Sequence, residues 1–277
     1  MGEAGCAEIL VTGGKAAALS RLAELASVPP GFAICAAVQR RRVERDYLAD
    51  LVATAYAELG RRLGTTSPAV AVRSSGIDED GAASSFAGQH ETFLNVCGEA
   101  AVTEAVLACW GSAGSERVAS YRSARGLDPD ASMGVLVQQL VVADEAGVAF
   151  TADPVTRDPG VVVVNASFGL GESVVSGSVT PDTYRVARHS LEILERRVAA
   201  KSVMTVVSAS GVREVPIPTL LRYEPALTDP QVVAVADLAL RMEAALGAPA
   251  DIEYAFGDGG LHLLQCRPIT TLAAAGG

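Results

Sequence analysis

Four polar side chains near the C-terminal end of the chain have types and spacing that suit metal and phosphate chemistry. They lie in the stretch DIEYAFGDGGLHLLQCRPIT, residues 251–270, which has the alternating pattern of a β-hairpin. Side chains alternate between the two faces of a strand, so Asp251 and Glu253 share one face of the first strand. Gln265 and Arg267 have the same spacing on the second strand, and the four residues could therefore form one polar face.

The register of this hairpin decides which of the four residues face each other. A three-residue loop at residues 258–260 places Glu253 opposite Gln265 and Asp251 opposite Arg267. A two-residue loop would place Glu253 opposite a leucine and would mix polar with apolar side chains. The sequence pattern therefore predicts the three-residue loop.

The predicted polar face carries two carboxylates, an amide oxygen and a guanidinium. Oxygen ligands from Asp251, Glu253 and Gln265 suit Mg²⁺, which shares its coordination shell with substrate phosphates. The guanidinium of Arg267 has the fork geometry that binds phosphate oxygens. The alternative is a solvated outer face with an Asp–Arg ion pair, and the hairpin alone does not decide between the two.

Three other segments could supply further contacts to a phosphate. In TGGK, residues 12–15, Lys15 follows two glycines at a predicted helix start, where backbone N–H groups and the helix dipole favour an anion. In VRSS, Arg73 lies at the tip of an apolar strand beside two hydroxyl groups. SSFAGQ, residues 84–89, consists of small residues, as a loop that closes over phosphates requires. Taken singly, each segment is also explained by an ordinary turn, surface ion pair or loop.

The composition excludes several classes of protein. Of 277 residues, 49% are hydrophobic and 19% are charged, which is typical of a globular chain with a real core. The net charge of −10 argues against general nucleic-acid binding. The longest apolar runs are too short to span a bilayer, so no membrane association is expected. Five cysteines without CxxC spacing indicate a reduced, cytoplasmic protein and not a zinc or disulfide scaffold.

Predicted helices and strands mix without a regular βαβ rhythm, which favours an α+β fold over a doubly wound sheet. A glycine turn precedes a helix in residues 12–25, and residues 229–247 have good helical periodicity with a glycine at the end. Helices broken near Gly111 and Gly114 are expected in residues 99–126. Strands are predicted in residues 68–76, 133–141 and 148–154, at the start of residues 161–177, at the end of residues 84–96, in TYRVAR and EILERRV, and in the hairpin.

Taken together and in order, these segments resemble the N-terminal ATP-binding domain of the family that contains phosphoenolpyruvate synthase, pyruvate phosphate dikinase and rifampicin phosphotransferase. The resemblance runs from about residue 12 to residue 270, and the ordered set of segments is far more specific than any one of them. The stretches that carry it are GGKAAALSRL, VPPGF, AVRSSGIDEDGAASSFAGQHETFLNV, VLVQQLV, GVAFTADPVT, NASFGLGESVVSGSVTPDTY and DIEYAFGDGGLHLLQCRPIT.

The resemblance implies an ATP-grasp-like fold with ATP between two α+β lobes, formed by a single module over residues 1–272 with a short tail at 273–277. It implies ATP and Mg²⁺ as ligands. The residues implied on the phosphates are Lys15, Arg73 and Arg267, with Arg73 and Arg267 catalytic. Glu253 and Gln265 are implied as magnesium ligands with Asp251 close by. The loop implied to close over the phosphates contains Gly88, and Thr92 is implied to lie nearby. Gln138 and Leu140 are implied to line the adenine pocket, and Glu172 is a further candidate.

In this family the phosphoryl acceptor is a histidine on a separate domain, and the motif that carries this histidine is absent from the 277 residues. His90, His189 and His262 are all expected to be structural, with His262 on the apolar face of the hairpin. Ala16 also stands where many members have glycine. The sequence therefore predicts a module that passes a phosphoryl or pyrophosphoryl group from ATP to a histidine domain on a separate protein. A kinase or ligase acting directly on a small acceptor and a non-catalytic nucleotide-binding module remain alternatives.

Overall fold

The structure is a computed structural model, and the residues that it describes are 4–76, 92–113 and 132–269. The chain divides into two compact units. Unit 1 comprises residues 1–21 and 29–140, and unit 2 comprises residues 22–28 and 141–277. Each unit combines helices with antiparallel strands, so the predicted α+β class is confirmed.

Unit 1 contains a four-stranded antiparallel sheet in the order β1-β4-β2-β3. A short 3₁₀ turn at Ala4–Ala7 precedes the first helix. The strands are β1 (Gly31–Ile34), β2 (Val70–Ser75), β3 (Thr92–Val96) and β4 (Gly134–Gln139), and the helices are α1 (Ile9–Thr12), α2 (Gly14–Leu22), α3 (Ala36–Arg40), α4 (Arg45–Leu63) and α5 (Glu99–Ala113).

One face of the unit 1 sheet forms a hydrophobic core with α4 and α5. Val70 and Val72 on β2 pair beside Val137 and the other core residues of β4, and these side chains are fully buried. Tyr56 of α4 donates a hydrogen bond from its hydroxyl to Pro68 O (2.7 Å) and accepts one from the N–H of Gly98 (2.8 Å). That hydroxyl therefore ties α4 to the entrance of β2 and to the start of α5. Helix α5 runs through Gly111 and ends at Ala113, and Gly114, the other residue near which a break is predicted, lies outside the described residues.

Unit 2 contains a six-stranded antiparallel sheet in the order β12-β11-β5-β6-β7-β8 and a separate two-stranded ribbon of β9 and β10. The ribbon was not predicted from the sequence. The strands are β5 (Glu145–Phe150), β6 (Val161–Phe168), β7 (Asp182–Ala187), β8 (Ile193–Arg197), β9 (Val203–Ser208), β10 (Gly211–Pro216), β11 (Ala250–Gly257) and β12 (Gly260–Pro268), and the helices are α6 (Glu172–Val175) and α7 (Asp229–Leu246).

Helix α7 covers one face of the six-stranded sheet. It begins with a capping box between Thr228 and Gln231, and it ends at Gly247, which has a left-handed φ of 70°, as the sequence predicts. Its buried residues recur at helical spacing and pack against strands β11, β6 and β5. The fully buried side chains of α7 are Val232, Val235, Ala236, Ala239 and Met242. The opposite face of the sheet is therefore the one that carries the polar residues of the hairpin.

Within the three described ranges, no helix is both long enough and apolar enough to cross a membrane. All five cysteines are free thiols.

Candidate functional site

The C-terminal hairpin has the register that the sequence predicts at its polar end. Strand β11 pairs Asp251 with Arg267 and Glu253 with Gln265 on β12. Ile252 on the opposite face is fully buried beneath α7. The two carboxylates, the amide and the guanidinium therefore lie on one face of the sheet.

The predicted three-residue loop is wrong, although the register at Glu253 is right. Gly257 pairs with Gly260, which leaves a two-residue turn. Both turn residues have positive φ, 50° at Asp258 and 75° at Gly259, as a type I′ turn requires. The register then shifts by one residue between Glu253 and Tyr254 because Leu264 forms a bulge on β12. The additional residue that the sequence pattern assigns to a longer loop therefore lies in the bulge instead.

The bulge also changes the faces of the residues between it and the turn. Leu263 pairs with Tyr254 on the buried face that α7 covers, and its side chain is fully buried. His262 pairs with Ala255, which shares a face with Glu253. The expectation that His262 lies on the apolar face is therefore wrong. Its ring is nevertheless engaged on both sides, by the Ser27 hydroxyl at 3.1 Å and by Gly257 O at 3.2 Å.

Asp251 holds Arg267 in place. Oδ2 of Asp251 accepts a hydrogen bond from Nε of Arg267 at 2.8 Å and forms an ion pair with Nη2, also at 2.8 Å. Burial raises the pKa of Asp251, the Arg267 guanidinium lowers it, and the neighbouring Glu253 carboxylate raises it again. The guanidinium side chain remains 39% exposed. The pair therefore orients a cation on the polar face and leaves it accessible.

Glu253 and Gln265 are the residues of this face that best fit a hard cation. They are direct cross-strand neighbours, with Glu253 half-buried and Gln265 only 5% exposed. Among the described residues no three acidic, histidine or cysteine side chains gather into a metal site. Such a small set of protein oxygens fits Mg²⁺, which is usually held by one or two carboxylates together with phosphates and water.

The same face of the sheet carries an ion cluster that the sequence reasoning missed. Arg185 of β7 forms an ion pair with Asp153 and lies 3.5 Å from Asp158 and 3.9 Å from Glu195. Burial alone would raise the pKa of Asp153, but hydrogen bonds from the N–H groups of Thr156 and Val155 and from Arg185 lower it to about 2. The signal in the sequence is DPVT, in which an aspartate before proline and threonine typically closes a turn through its own side chain.

In unit 1, the start of α2 packs on the tip of β2. The N–H of Gly14 donates to Gly76 O (2.8 Å), and the N–H of Ala16 donates to the hydroxyl oxygen of Ser75 (3.2 Å). These backbone donors are thus used inside the protein, which differs from the expectation that they bind an anion. Any role of this turn in phosphate binding therefore rests on the Lys15 side chain, which is 9% exposed.

Arg73 lies on β2 two residues before Ser75, on the sheet face opposite the α4–α5 core. Its cross-strand neighbours are Thr92 on β3, which is exposed, and Leu136 on β4. The structure therefore brings the predicted residues Arg73 and Thr92 together as cross-strand neighbours, with Arg73 on the strand whose tip contacts α2.

The two residues predicted for the adenine pocket lie at the end of β4. Gln138 is 2% exposed, and its side-chain amide donates to Pro29 O at 3.1 Å. The N–H of Leu140 donates to Ala69 O at 2.9 Å, and the residue is 8% exposed. Both residues are therefore fixed by contacts within unit 1.

The remaining predicted residues are scattered. Glu172 is exposed at the start of the short helix α6, which contacts β5 and β6 in unit 2. His189 is exposed in the turn between β7 and β8. Gly88, His90 and the rest of the SSFAGQ loop lie outside the described residues.

Comparison with known proteins identifies the family. Residues 44–276 match the model for the pyruvate phosphate dikinase AMP/ATP-binding domain. Over 91% of its length the chain is 43% identical to a rifampicin phosphotransferase of Streptomyces sviceus, and over 86% it is 46% identical to another from Streptomyces sp. A probable phosphoenolpyruvate synthase of Pyrococcus horikoshii is 41% identical over 81% of the chain. The chain spans 30%, 27% and 29% of these three relatives.

Among solved structures, a D-alanine–D-alanine ligase from Bacillus anthracis aligns over 96% of this chain and 57% of its own. The TM-score is 0.37 and the identity is 11%, which is too low for a comparison of sites. The sequence relatives are far closer, and the family model covers most of the chain. The chain therefore belongs to the pyruvate phosphate dikinase AMP/ATP-binding domain family.

Proposed function

We propose that this chain binds ATP together with Mg²⁺ and provides the first phosphoryl-transfer step of a dikinase-type phosphotransferase. The observation that carries the proposal is the pairing of Glu253 with Gln265 beside Asp251 with Arg267 on one sheet face. This arrangement combines ligands for a hard cation with an oriented guanidinium, as a polyphosphate requires. Family membership supports ATP as the nucleotide.

Phosphoryl transfer depends mainly on positioning and charge neutralisation, because little covalent chemistry is left for the protein. In our proposal Glu253 and Gln265 hold the magnesium ion, which when bound would neutralise charge on the phosphate oxygens. Arg267, oriented by Asp251, binds a phosphate oxygen through its fork of N–H donors. Lys15, Arg73 and Thr92 of unit 1 contribute further phosphate contacts, and Gln138 and Leu140 line the adenine pocket.

We further propose that the acceptor is a histidine supplied by another domain or another protein. Of the two described histidines, His262 does not suit this role, because both of its ring nitrogens are engaged. The relatives include rifampicin phosphotransferases and phosphoenolpyruvate synthases whose chains are about three times longer than the matched part. Their additional length is where an acceptor domain would lie.

Calorimetric titration of the purified chain with a non-hydrolysable ATP analogue, with and without Mg²⁺, tests the proposal. We expect a micromolar Kd in the presence of Mg²⁺, or about −8 kcal/mol, and much weaker binding without it. Arg267→Ala should weaken the analogue, whereas Arg213→Ala, in the exposed ribbon strand β10, serves as a control and should not. Absence of binding to the wild-type chain would refute the proposal.

A further inference from the structure

We infer that Ser75 is a positioning residue, which sets the location of Lys15 relative to Arg73 and so controls how tightly the phosphates of a nucleotide are bound. The inference rests on the proposed function, because it concerns the same nucleotide site. Ser75 is the last residue of β2 and is fully buried.

Ser75 contacts the start of α2. The hydroxyl oxygen of Ser75 accepts a hydrogen bond from the N–H of Ala16, the residue next to Lys15. This bond is buried and joins positions 59 residues apart in the sequence. A buried N–H that loses its acceptor costs about 1–3 kcal/mol, so the hydroxyl is a strong constraint on the helix start.

The packing around that hydrogen bond is tight. Gly13 has a φ of 83° and lies so close to the carbonyl and hydroxyl oxygens of Ser75 that a side chain would not fit there. The N–H of Gly14 donates to Gly76 O at 2.8 Å. On the other side of the turn, Gly134 of β4 leaves room for Thr12 O in the same way. The turn before Lys15 is therefore held between β2 and β4.

Strand β2, which holds this turn, also carries Arg73. Residues 73 and 75 are two positions apart on β2, so their side chains lie on the same face. Arg73 is in turn fixed between Thr92 on β3 and Leu136 on β4. Strand β2 thus carries Arg73 directly, and it also determines the position of Lys15 through Ser75.

Loss of this arrangement would weaken the binding of the phosphates. The N–H groups of Gly14 and Ala16 are used within the protein, so they cannot replace the lysine ammonium on a phosphate. Two cations that are already in place bind a polyphosphate without the entropic cost of ordering them. If the Ala16 anchor is released, Lys15 loses this advantage, while contacts to the nucleoside remain unchanged.

The test compares Ser75→Ala with Ser75→Thr, which keeps a hydroxyl, by titrating each variant with the ATP analogue plus Mg²⁺ and with AMP. We expect Ser75→Ala to weaken the ATP analogue about tenfold, which is the loss of about one hydrogen bond. AMP should change less than about twofold, and Ser75→Thr should restore most of the affinity. Ser74→Ala is the matched control, because Ser74 is equally buried but points to the core face.

A double-mutant cycle with Lys15→Met decides whether Ser75 acts through the lysine. We expect Ser75→Ala to have almost no further effect on the ATP analogue when Lys15 is already replaced. Independent, additive losses would overturn the inference, and so would equal losses for ATP and AMP. If Ser75→Ala does not fold, Ser75→Cys, which keeps the volume but is a weak acceptor, takes its place.

The outcome for the wild-type chain separates this inference from the proposed function. If the wild-type chain binds the ATP analogue and Ser75→Ala binds it equally well, only the role of Ser75 is refuted. If the wild-type chain does not bind the analogue at all, the proposed function fails, and the role of Ser75 fails with it.

Discussion

Asp251 and Glu253 lie on the same face of one strand but have different partners. The carboxylate of Asp251 is committed to Arg267 through a hydrogen bond and an ion-pair contact to one oxygen. Glu253 instead faces the amide of Gln265 across the strand pair. The two acidic residues that look equivalent in the sequence therefore have distinct tasks in our proposal. Asp251 orients a guanidinium, and Glu253 binds the cation.

This difference predicts a specific effect of Glu253→Gln. The substitution keeps the shape of the side chain and removes its charge, so we expect ATP-analogue binding to lose its dependence on Mg²⁺. The thermal midpoint should change by less than about 2 °C, because Glu253 is half-buried on the polar face and outside the core. Calorimetric titrations at several Mg²⁺ concentrations measure the dependence. Glu192→Gln, in an exposed turn, is the control. Its thermal midpoint should also change little. Retained Mg²⁺ dependence in Glu253→Gln would contradict the metal assignment.

Asp153 gives a prediction about pH. Its pKa is lowered to about 2 from the ordinary value of 3.8, so its charged form stabilises the folded state above pH 3.8. This stabilisation is lost as the pH falls through the folded-state pKa. We expect Asp153→Asn to lower the free energy of unfolding by about 1–3 kcal/mol at neutral pH.

Urea denaturation of wild type and Asp153→Asn over a pH series measures this effect. The difference between the two proteins should shrink between about pH 4 and pH 2, where the wild-type carboxylate becomes protonated. A difference that stays constant over this range would mean that the charge of Asp153 does not stabilise the turn.

At the scale of elements, Tyr56 joins three of them through one hydroxyl. We expect Tyr56→Phe to destabilise unit 1 by about 1–3 kcal/mol, because Pro68 O and the N–H of Gly98 both lose their partner in a buried site. Tyr47 on the same helix is 56% exposed, so Tyr47→Phe provides a matched control that should be neutral. Thermal unfolding followed by circular dichroism compares the two. Equal midpoints would show that the hydroxyl does not link these elements.

The hairpin shows how far the sequence predicts an element. The alternation of polar and apolar residues was sufficient to predict that Glu253 faces Gln265. It could not reveal whether the additional residue lies in the turn or in a bulge, since both satisfy the same register at the polar end. Asp258 and Gly259 are a well-known two-residue turn sequence, and this signal was outweighed by the pattern. The placement of His262 and Leu263 depended on that choice and was predicted wrongly.

At the scale of the whole molecule, candidate site residues could be proposed from the sequence because they belong to ordered motifs, whereas the buried contacts that support them could not be. Lys15, Arg73 and Arg267 stand out as charges beside glycines or apolar strands. Ser75 and Asp153 act through buried contacts with residues that are adjacent only after folding. The β9–β10 ribbon has too little burial to produce a clear periodic pattern, since Thr205 is its only fully buried residue among those described.

Ligand-dependent stability provides a prediction for the molecule as a whole. The chain has a net charge of −10, so binding of an anionic nucleotide must depend on local cations and on the metal. A ligand that binds only the folded state at about 100 times its Kd stabilises that state by about 2.7 kcal/mol. We therefore expect the ATP analogue with Mg²⁺ to raise the thermal midpoint by about 5 °C.

Removal of the metal is the critical comparison in that experiment. With EDTA present, the same concentration of analogue should raise the midpoint by much less, because the phosphate charges are then opposed by protein side chains alone. Mg²⁺ without nucleotide should have little effect, since Glu253 and Gln265 provide only a small part of a coordination shell. A full shift with EDTA would show that nucleotide binding does not need the metal. A full shift with Mg²⁺ alone would indicate a metal site that is complete without phosphates, and either result would contradict the shared metal–phosphate face that we propose.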